Sequence, residues 1–539
     1  ELDDEGDYVY LVEDGEGQVI KSTFKVGQTK PKRKKGIKKG LTLGNDCFKR
    51  RCGAIPVPPG EENLLTVYDD GLDDLEPASI LGNSNATFND TYSGINVRRR
   101  TRQTTGTLKN LVVLIRFRDH RDRNLPKPEQ IEGLMNSMDL NANLWPTGSL
   151  KRLYQEFSYG KLTIDSTITP WIDVSRAEAY YADGYSGTTA LHEALREALD
   201  KLDQDGIVDF SEFDEDGDGY IDSITFLHSG WGAEFGRRDC EGKYARDRIW
   251  SHKWNLYSNK GGRWVGPWES SDNVRVFDYH ISPGIWGTCG SYITRIGVIA
   301  HETGHFLGLP DLYDTNNDYT NGVGRGLGCF CLMANSWGFD GSQYYPPFPS
   351  AWARVQMGWV VPQEPYRGIN WIANAEQAPG MNATVYIIGE RFGYPKGEYL
   401  LIENRQRYSV DAKLAGTGVA IYHIDMKAGY NNEGHPGQSG FPQNGRHYKV
   451  ALLPADGLYD LERGINLGDA NDLFRKGHKR TLLANNRDGT KWPNNDAYQS
   501  GNVFKTRVKI KRIGKSADIM KFQFDHPNAQ SRPSNVIGL

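Results

Sequence analysis

Apolar and polar positions follow two periods along this chain, and the switches between them mark its elements. Leu111-Val112-Val113-Leu114-Ile115 is an unbroken apolar run bounded by polar residues, the pattern of a buried sheet strand. A helix is predicted from Ser149 to about Ser158, with Leu150, Leu153, Tyr154 and Phe157 on one face, and Leu162 to Thr169 alternates as a strand does. Leu191, Ala194, Leu195, Ala198, Leu199 and Leu202 trace the stripe of a long amphipathic helix, a core face rather than a cofactor contact. Phe226-Leu227-His228 is a further apolar strand. From about Glu364 the text changes to short runs separated by turns: Thr384 to Ile388, Tyr399 to Glu403, Gly418 to His423, Lys449 to Leu453, Val508 to Ile510 and Met520 to Phe524. Spaced strands of this kind predict an antiparallel sandwich.

Residues 1–105 read differently. Strand-like pieces, Tyr8 to Val12 and Val19 to Phe24, precede a basic run from Lys30 to Lys39 and then acidic, Gly- and Asn-rich sequence. The basic run reads first as a solvated loop and second as an association site for an anionic extracellular matrix or cell surface. The segment closes on Arg98-Arg99-Arg100-Thr101-Arg102, an Arg-x-x-Arg processing signal ending at Arg102. The chain therefore divides into a pro-segment (1–105), a mixed α and β domain (106–363), a β-sandwich domain (364–526) and a disordered tail (527–539).

Composition narrows the class. At 539 residues the chain exceeds what one core supports. Charged residues are 24%, the formal net charge is −4, and no apolar run reaches the roughly 18 residues of a transmembrane helix. Nucleic acid is not an expected partner. The opening at Glu1 suits a secreted, extracellular protein without its signal peptide, and the sequons at Asn85, Asn89 and Asn382 are glycan acceptors in that setting. Six cysteines suit disulfides in an oxidising compartment; the expected pairs are Cys47 with Cys52 and Cys240 with Cys289, leaving Cys329 and Cys331.

The chemistry concentrates in Val298 to Asp314, VIAHETGHFLGLPDLYD. His301 and His305 stand one helical turn apart, so both imidazoles share a face and can chelate zinc. Glu302 sits beside them as general base for water activated there. Thr294 is the expected N-cap, and Gly308 followed by Pro310 stops the helix just past His305. The turn at Gly308 brings Asp311 into reach as a third ligand, and three protein ligands are the open set of a catalytic rather than a structural zinc.

This stretch resembles the zinc-binding segment of the immune inhibitor A-like secreted metallopeptidases, relatives of the metzincins. The resemblance continues through Tyr159-Gly160-Lys161-Leu162, Ile249-Trp250-Ser251-His252, Met357-Gly358-Trp359, Ile402-Glu403-Asn404-Arg405 and Ala455-Asp456-Gly457, over about Leu108 to Asp525. It implies a zincin-type α+β catalytic domain with a mixed sheet and an active-site helix, backed by a β-rich domain. Leu332-Met333-Ala334-Asn335 resembles the Met-turn, with Met333 beneath the metal. Metzincins commonly carry Tyr two residues after that Met; this chain has Asn335, which leaves Tyr344 and Tyr345 as the candidate oxyanion donors.

A second metal signal precedes it. Asp214, Asp216, Asp218 and Asp222 occupy positions 1, 3, 5 and 9 of an EF-hand-like loop, with Gly219 at the sharp turn and the Tyr220 carbonyl at position 7. Position 12 is Thr225, so the last ligand of a Ca2+ ion there has to come from Glu212 or Asp209. Asp456, Asp469 and Asp472 are a weaker cation candidate. The expectation is a secreted zinc endopeptidase acting on protein or peptide substrates and made as a zymogen. The alternative is a non-catalytic, calcium-stabilised extracellular glycoprotein whose peptidase site stays masked.

Overall fold

The strand predicted at Leu111 is apolar throughout because the fold covers both of its faces. The computed structural model describes residues 103–532, apart from 188–189, 257, 261–262, 315–323, 379, 381, 429–433, 443–447, 480 and 484–492. It also describes two short hairpins before them: β1 (Val9–Glu13) with β2 (Val19–Lys25), and β3 (Asn89–Tyr92) with β4 (Ile95–Arg98). Arg102, Asn85, Cys47 and Cys52 lie outside the described residues, and for Asn89 only its place at the start of β3 is described.

The N-terminal region runs β5 (Gly106–Arg116), α1 (Pro128–Asn136), α2 (Leu150–Phe157), β6 (Leu162–Asp173), α3 (Glu178–Ala182), α4 (Leu191–Gln204), β7 (Ile224–Trp231) and β8 (His252–Asn255). Two small hairpins follow, β9 (Ser258–Lys260) with β10 (Arg263–Val265) and β11 (Trp268–Glu269) with β12 (Arg275–Val276); then come β13 (Asp278–Ile285), α5 (Ile296–Phe306) and α6 (Ala351–Gln356). β6-β5-β7-β13-β8 form one mixed sheet, parallel except for the edge strand β8, which pairs antiparallel with β13.

Successive side chains of β5 point to opposite faces. Leu108, Val112 and Leu114 join a core with α1, α2 and α5, whereas Leu111, Val113 and Ile115 join a second core with α4. Ser149 caps α2 by accepting the Arg152 N–H at 3.2 Å, which explains why that helix starts where the sequence placed it.

The C-terminal region contributes β14 (Gly368–Ala373), β15 (Val385–Ile388), β16 (Glu398–Arg405), β17 (Gly418–Asp425), β18 (Val450–Leu452), β19 (Leu482–Leu483), β20 (Lys509–Lys511) and β21 (Ile519–Asp525). They make two four-stranded antiparallel sheets, β15-β16-β17-β18 and β14-β21-β20-β19. Leu400, Ile402, Val419 and Ile421 face β14, β20 and β21 in a shared core, while Tyr399, Leu401, Ala420 and Tyr422 face the core that contains α5 and α6. One hydrophobic core thus runs from α5 into the C-terminal sheet β15-β16-β17-β18.

Buried ions reinforce that junction. Arg354 of α6 pairs with Glu403 of β16, Arg405 binds Asp411 through Nε (2.7 Å) and Nη2 (2.9 Å), and its Nη1 donates to the Phe330 carbonyl at 2.7 Å. All four residues of the first two pairs are fully or nearly fully buried, so each charge depends on its counter-ions.

Candidate metal centre and cleft

Two glycines let α5 sit unusually close to its neighbours. A Cβ on Gly297 would fall 2.4 Å from the Ser336 carbonyl oxygen, and one on Gly304 would fall 2.4 Å from the Met333 sulfur. Glycine inside a helix costs about 1 kcal/mol relative to alanine, so packing has to hold this helix together. The expected N-cap is corrected by one residue. Arg295 caps α5 without a side-chain hydrogen bond, and the Thr294 N–H is donated to the Gly284 carbonyl of β13 (3.1 Å), which ties that residue to the sheet.

At the other end the chain reverses through Gly308, whose φ of +105° only glycine adopts readily. The Leu309 N–H bonds back to the Gly304 carbonyl and the Gly308 N–H to the His305 carbonyl, both at 2.9 Å, which is a Schellman closure. The reversal places the Leu309 carbonyl 2.7 Å from His305 Nδ1. The Leu332 carbonyl lies 2.9 Å from His301 Nδ1. A carbonyl oxygen can only accept, so both Nδ1 atoms carry the proton and both Nε2 atoms present lone pairs.

Those lone pairs converge. His301 Nε2 and His305 Nε2 are 3.0 Å apart, and Asp311 Oδ1 is 3.2 Å from the first and 3.1 Å from the second. With Nδ1 protonated on both rings these are acceptor-to-acceptor contacts, and Asp311 Oδ1 is buried without a hydrogen bond. Three electron-rich atoms at this spacing repel one another unless a cation lies among them. A tetrahedral ion about 2.0–2.1 Å from each donor separates them by about 3.3 Å, so the donor set fits zinc in both chemistry and size. Met333 braces the same corner, since its carbonyl accepts the Leu312 N–H at 2.9 Å, next to Asp311.

Glu302 is buried beside His301. Burial lifts its carboxyl to about 8; His301 and the backbone N–H of Lys253 on β8 pull it down, while Asp311 and Glu234 push it up. A cation held by the three donors opposes the rise. Glu302 and His301 open onto a cleft also lined by Glu234, Trp250, Tyr313 and Trp337. None of those four carries a role in the sequence reading, although Trp250 and Tyr313 stand in segments that resemble the family. Glu234 was readable only as a lone acid among small and aromatic residues just after the strand at Phe226, and Tyr313 as the residue two beyond Asp311.

Other expected residues fall as follows. Tyr344 is turned away from the cleft, its hydroxyl donating to the Asn143 carbonyl at 3.0 Å, and Tyr345 packs under Lys413. Asn335 lines the cleft with its side-chain oxygen engaged by the Trp337 N–H at 2.9 Å. His252 and His280 are structural: His252 bonds the Trp250 carbonyl and the Tyr279 hydroxyl, and His280 the Thr225 hydroxyl. A disulfide joins Cys240 to Cys289, and Cys329 and Cys331 are buried. Asn382 is half-buried just before β15.

Asp214, Asp216 and Asp218 bring carboxylate oxygens within 4.8 Å of one another. Asp214 accepts the N–H groups of Asp218 and Gly219, both at 3.0 Å, and Asp218 accepts that of Tyr220 at 2.9 Å. Asp222 is not in that group; its carboxylate accepts the Glu215 N–H at 2.7 Å and closes the loop. Asp209 is turned to Ser211. Asp456, Asp469 and Asp472 form another such trio. No helix among the described residues is long and apolar enough to cross a membrane.

Comparison with known proteins meets this geometry. Residues 102–360 match the family model described as immune inhibitor A peptidase M6, catalytic domain, and the resemblance read from the sequence is found over that span. Immune inhibitor A of Bacillus thuringiensis subsp. alesti is 32% identical over 264 residues, which cover 42% of this chain and 36% of that protein. The pre-pro-metalloprotease PrtV of Vibrio cholerae serotype O1 is 31% identical over 226 residues, 38% of this chain and 23% of that protein. The chain thus spans about a third of the length of the first and less than a quarter of the second.

Proposed function

We propose, on the premise of the M6 catalytic-domain match over residues 102–360, that this chain is a secreted zinc-dependent endopeptidase acting on protein substrates. The observation that carries the reading is the convergence of His301 Nε2, His305 Nε2 and Asp311 Oδ1 at 3.0–3.2 Å with both Nδ1 atoms committed elsewhere. A bound zinc supplies Lewis acidity toward a scissile carbonyl and makes water acidic enough to attack near neutral pH.

The chain's own residues do the rest. The Leu332 and Leu309 carbonyls fix the tautomer and ring orientation of His301 and His305, the supporting role that strengthens imidazole ligands. Glu302, buried beside His301, would take the proton of the attacking water and pass it to the leaving amine. Asn335, Trp337 and Trp250 wall the cleft that receives the peptide.

The finer reading extends outward from the site. Residues 1–105, ending at the Arg102 signal, act as a pro-segment, and the two C-terminal sheets form a β-sandwich that steadies α6 and the Met333 turn. The Asp214, Asp216 and Asp218 trio holds Ca2+. The Cys240–Cys289 bond and the Asn85, Asn89 and Asn382 sequons suit an extracellular protein. Removing metal with a chelator is expected to abolish casein hydrolysis, and adding back zinc to restore it; activity indifferent to chelation sinks the reading. The masked-glycoprotein alternative is disfavoured by the buried, metal-ready donor set together with Glu302.

A further inference from the structure

The cleft contains a second buried carboxylate that the proposed mechanism does not use. Glu234 lies on a 3-10 turn (Ala233–Phe235) just past β7 and is 6% exposed. Its side chain folds back over Gly232, where a Cβ would lie 2.4 Å from the carboxyl carbon and both oxygens. Ser251 donates to Glu234 Oε1 at 2.8 Å, whereas Oε2 is buried and takes no hydrogen bond from a described residue. The Nε1–H of Trp250, lining the same cleft, is also buried without an acceptor.

A carboxylate in such a place is expensive unless something pairs with it. Burial pushes the Glu234 carboxyl up, and what opposes this is its own backbone, the Ser251 hydroxyl and backbone, and Arg248. Arg248 supplies a favourable field, but its guanidinium donates to the Gly236 and Arg237 carbonyls. Glu234 is not among the donors grouped around His301, His305 and Asp311, so it is not a further ligand of that metal. What the site lacks is a cation. The rings of Trp250 and Trp337 line the same cleft, and aromatic rings attract cations over their faces.

We propose that Glu234 is an acidic subsite of this cleft that receives a positively charged amine of the substrate, either a Lys or Arg side chain beside the scissile bond or the peptide's α-ammonium group. The proposal rests on the peptidase reading and deepens it by naming a substrate class. Gly232 is part of the device, because any side chain there displaces the carboxylate.

The test uses the full chain after limited trypsin cleavage near Arg102 and a set of quenched-fluorescence peptides. Each flanking position carries Lys, Arg, Gln or norleucine in turn, with the N-terminus free or acetylated. The quantity read is the ratio of kcat/KM for the cationic over the neutral peptide within one enzyme, which is insensitive to general loss of activity. Wild type is expected to favour the cation at least about tenfold at one position, and Glu234→Gln to bring that ratio to about one. Preference following the free N-terminus identifies the α-ammonium; preference following Lys or Arg identifies the side chain. A wild-type ratio near one at every position overturns the proposal without any variant, as does a preference that survives in Glu234→Gln. Binding of an arginine-containing peptide to Glu302→Ala, with and without Glu234→Gln, separates the two readings. Glu234-dependent binding without hydrolysis by any form keeps the subsite and removes the peptidase; hydrolysis without it does the reverse.

Discussion

The carbonyl of Leu332 holds the Nδ1 proton of His301 at 2.9 Å, and through it the Met333 turn fixes the imidazole that α5 presents first. The next carbonyl along, that of Met333, holds Leu312 beside Asp311. One short turn therefore positions two of the three donors.

Closing the gap beneath that helix is expected to disturb both. Gly304→Ala places a methyl 2.4 Å from the Met333 sulfur, and overpacking of this kind costs about 1–3 kcal/mol. Zinc affinity is expected to fall about 10- to 100-fold, the usual penalty for loosening a ligand's support. Isothermal titration with zinc reads the affinity and urea unfolding the stability; unchanged values in both contradict the packing account.

Breaking the ion pair between α6 and β16 leaves Glu403 only Arg405, 3.1 Å away, and the Tyr422 hydroxyl as partners in the core. Arg354→Met, which takes one of two buried guanidinium partners from Glu403, is expected to lower stability by about 1–3 kcal/mol in denaturant unfolding. The double change Arg354→Met with Glu403→Leu is expected to recover much of the loss, since it removes both charges.

Glu178 predicts a pH signature. Its carboxyl is fully buried near His120 (3.5 Å), His228 (4.0 Å) and Lys243 (4.0 Å); burial lifts it to about 8, with Lys243 and Arg123 pulling it down. A folded value above the unfolded one means that its contribution is complete below about pH 4.5 and is lost as pH rises toward 8. Over that window Glu178→Gln is expected to flatten the fall of stability by about 1.4 kcal/mol per pH unit. Parallel slopes for variant and wild type show that the proton is not held there.

Calcium at the Asp214 loop makes a separate claim on stability. Millimolar Ca2+ is expected to raise Tm by several degrees and Asp216→Ala to remove the gain, because a ligand that prefers the folded state raises the midpoint. An equal rise in wild type and variant places the ion elsewhere.

The helices at Leu150 and Leu191, and the strands from Leu111 and Tyr399, were legible because each buries a face with one clear period. The convergence of His301, His305 and Asp311 was legible because helical spacing alone puts His301 and His305 together and Gly308 alone permits the turn to Asp311. The cleft walls were not. Glu234, Trp250 and Trp337 come from separate loops, and their meeting is set by the mixed sheet and by α5, relationships that no local period encodes. Thr294 misled for a related reason: its N–H is drawn to the edge of β13, a partner ten residues back whose place depends on the sheet.

The most direct test of the central claim is zinc content together with casein hydrolysis, measured before and after limited trypsin cleavage near Arg102, with Glu302→Ala in parallel. The account predicts about one zinc per chain in both proteins, with hydrolysis that rises on cleavage and is absent from Glu302→Ala. Bound zinc with no hydrolysis by any form, or hydrolysis that survives in Glu302→Ala, contradicts it.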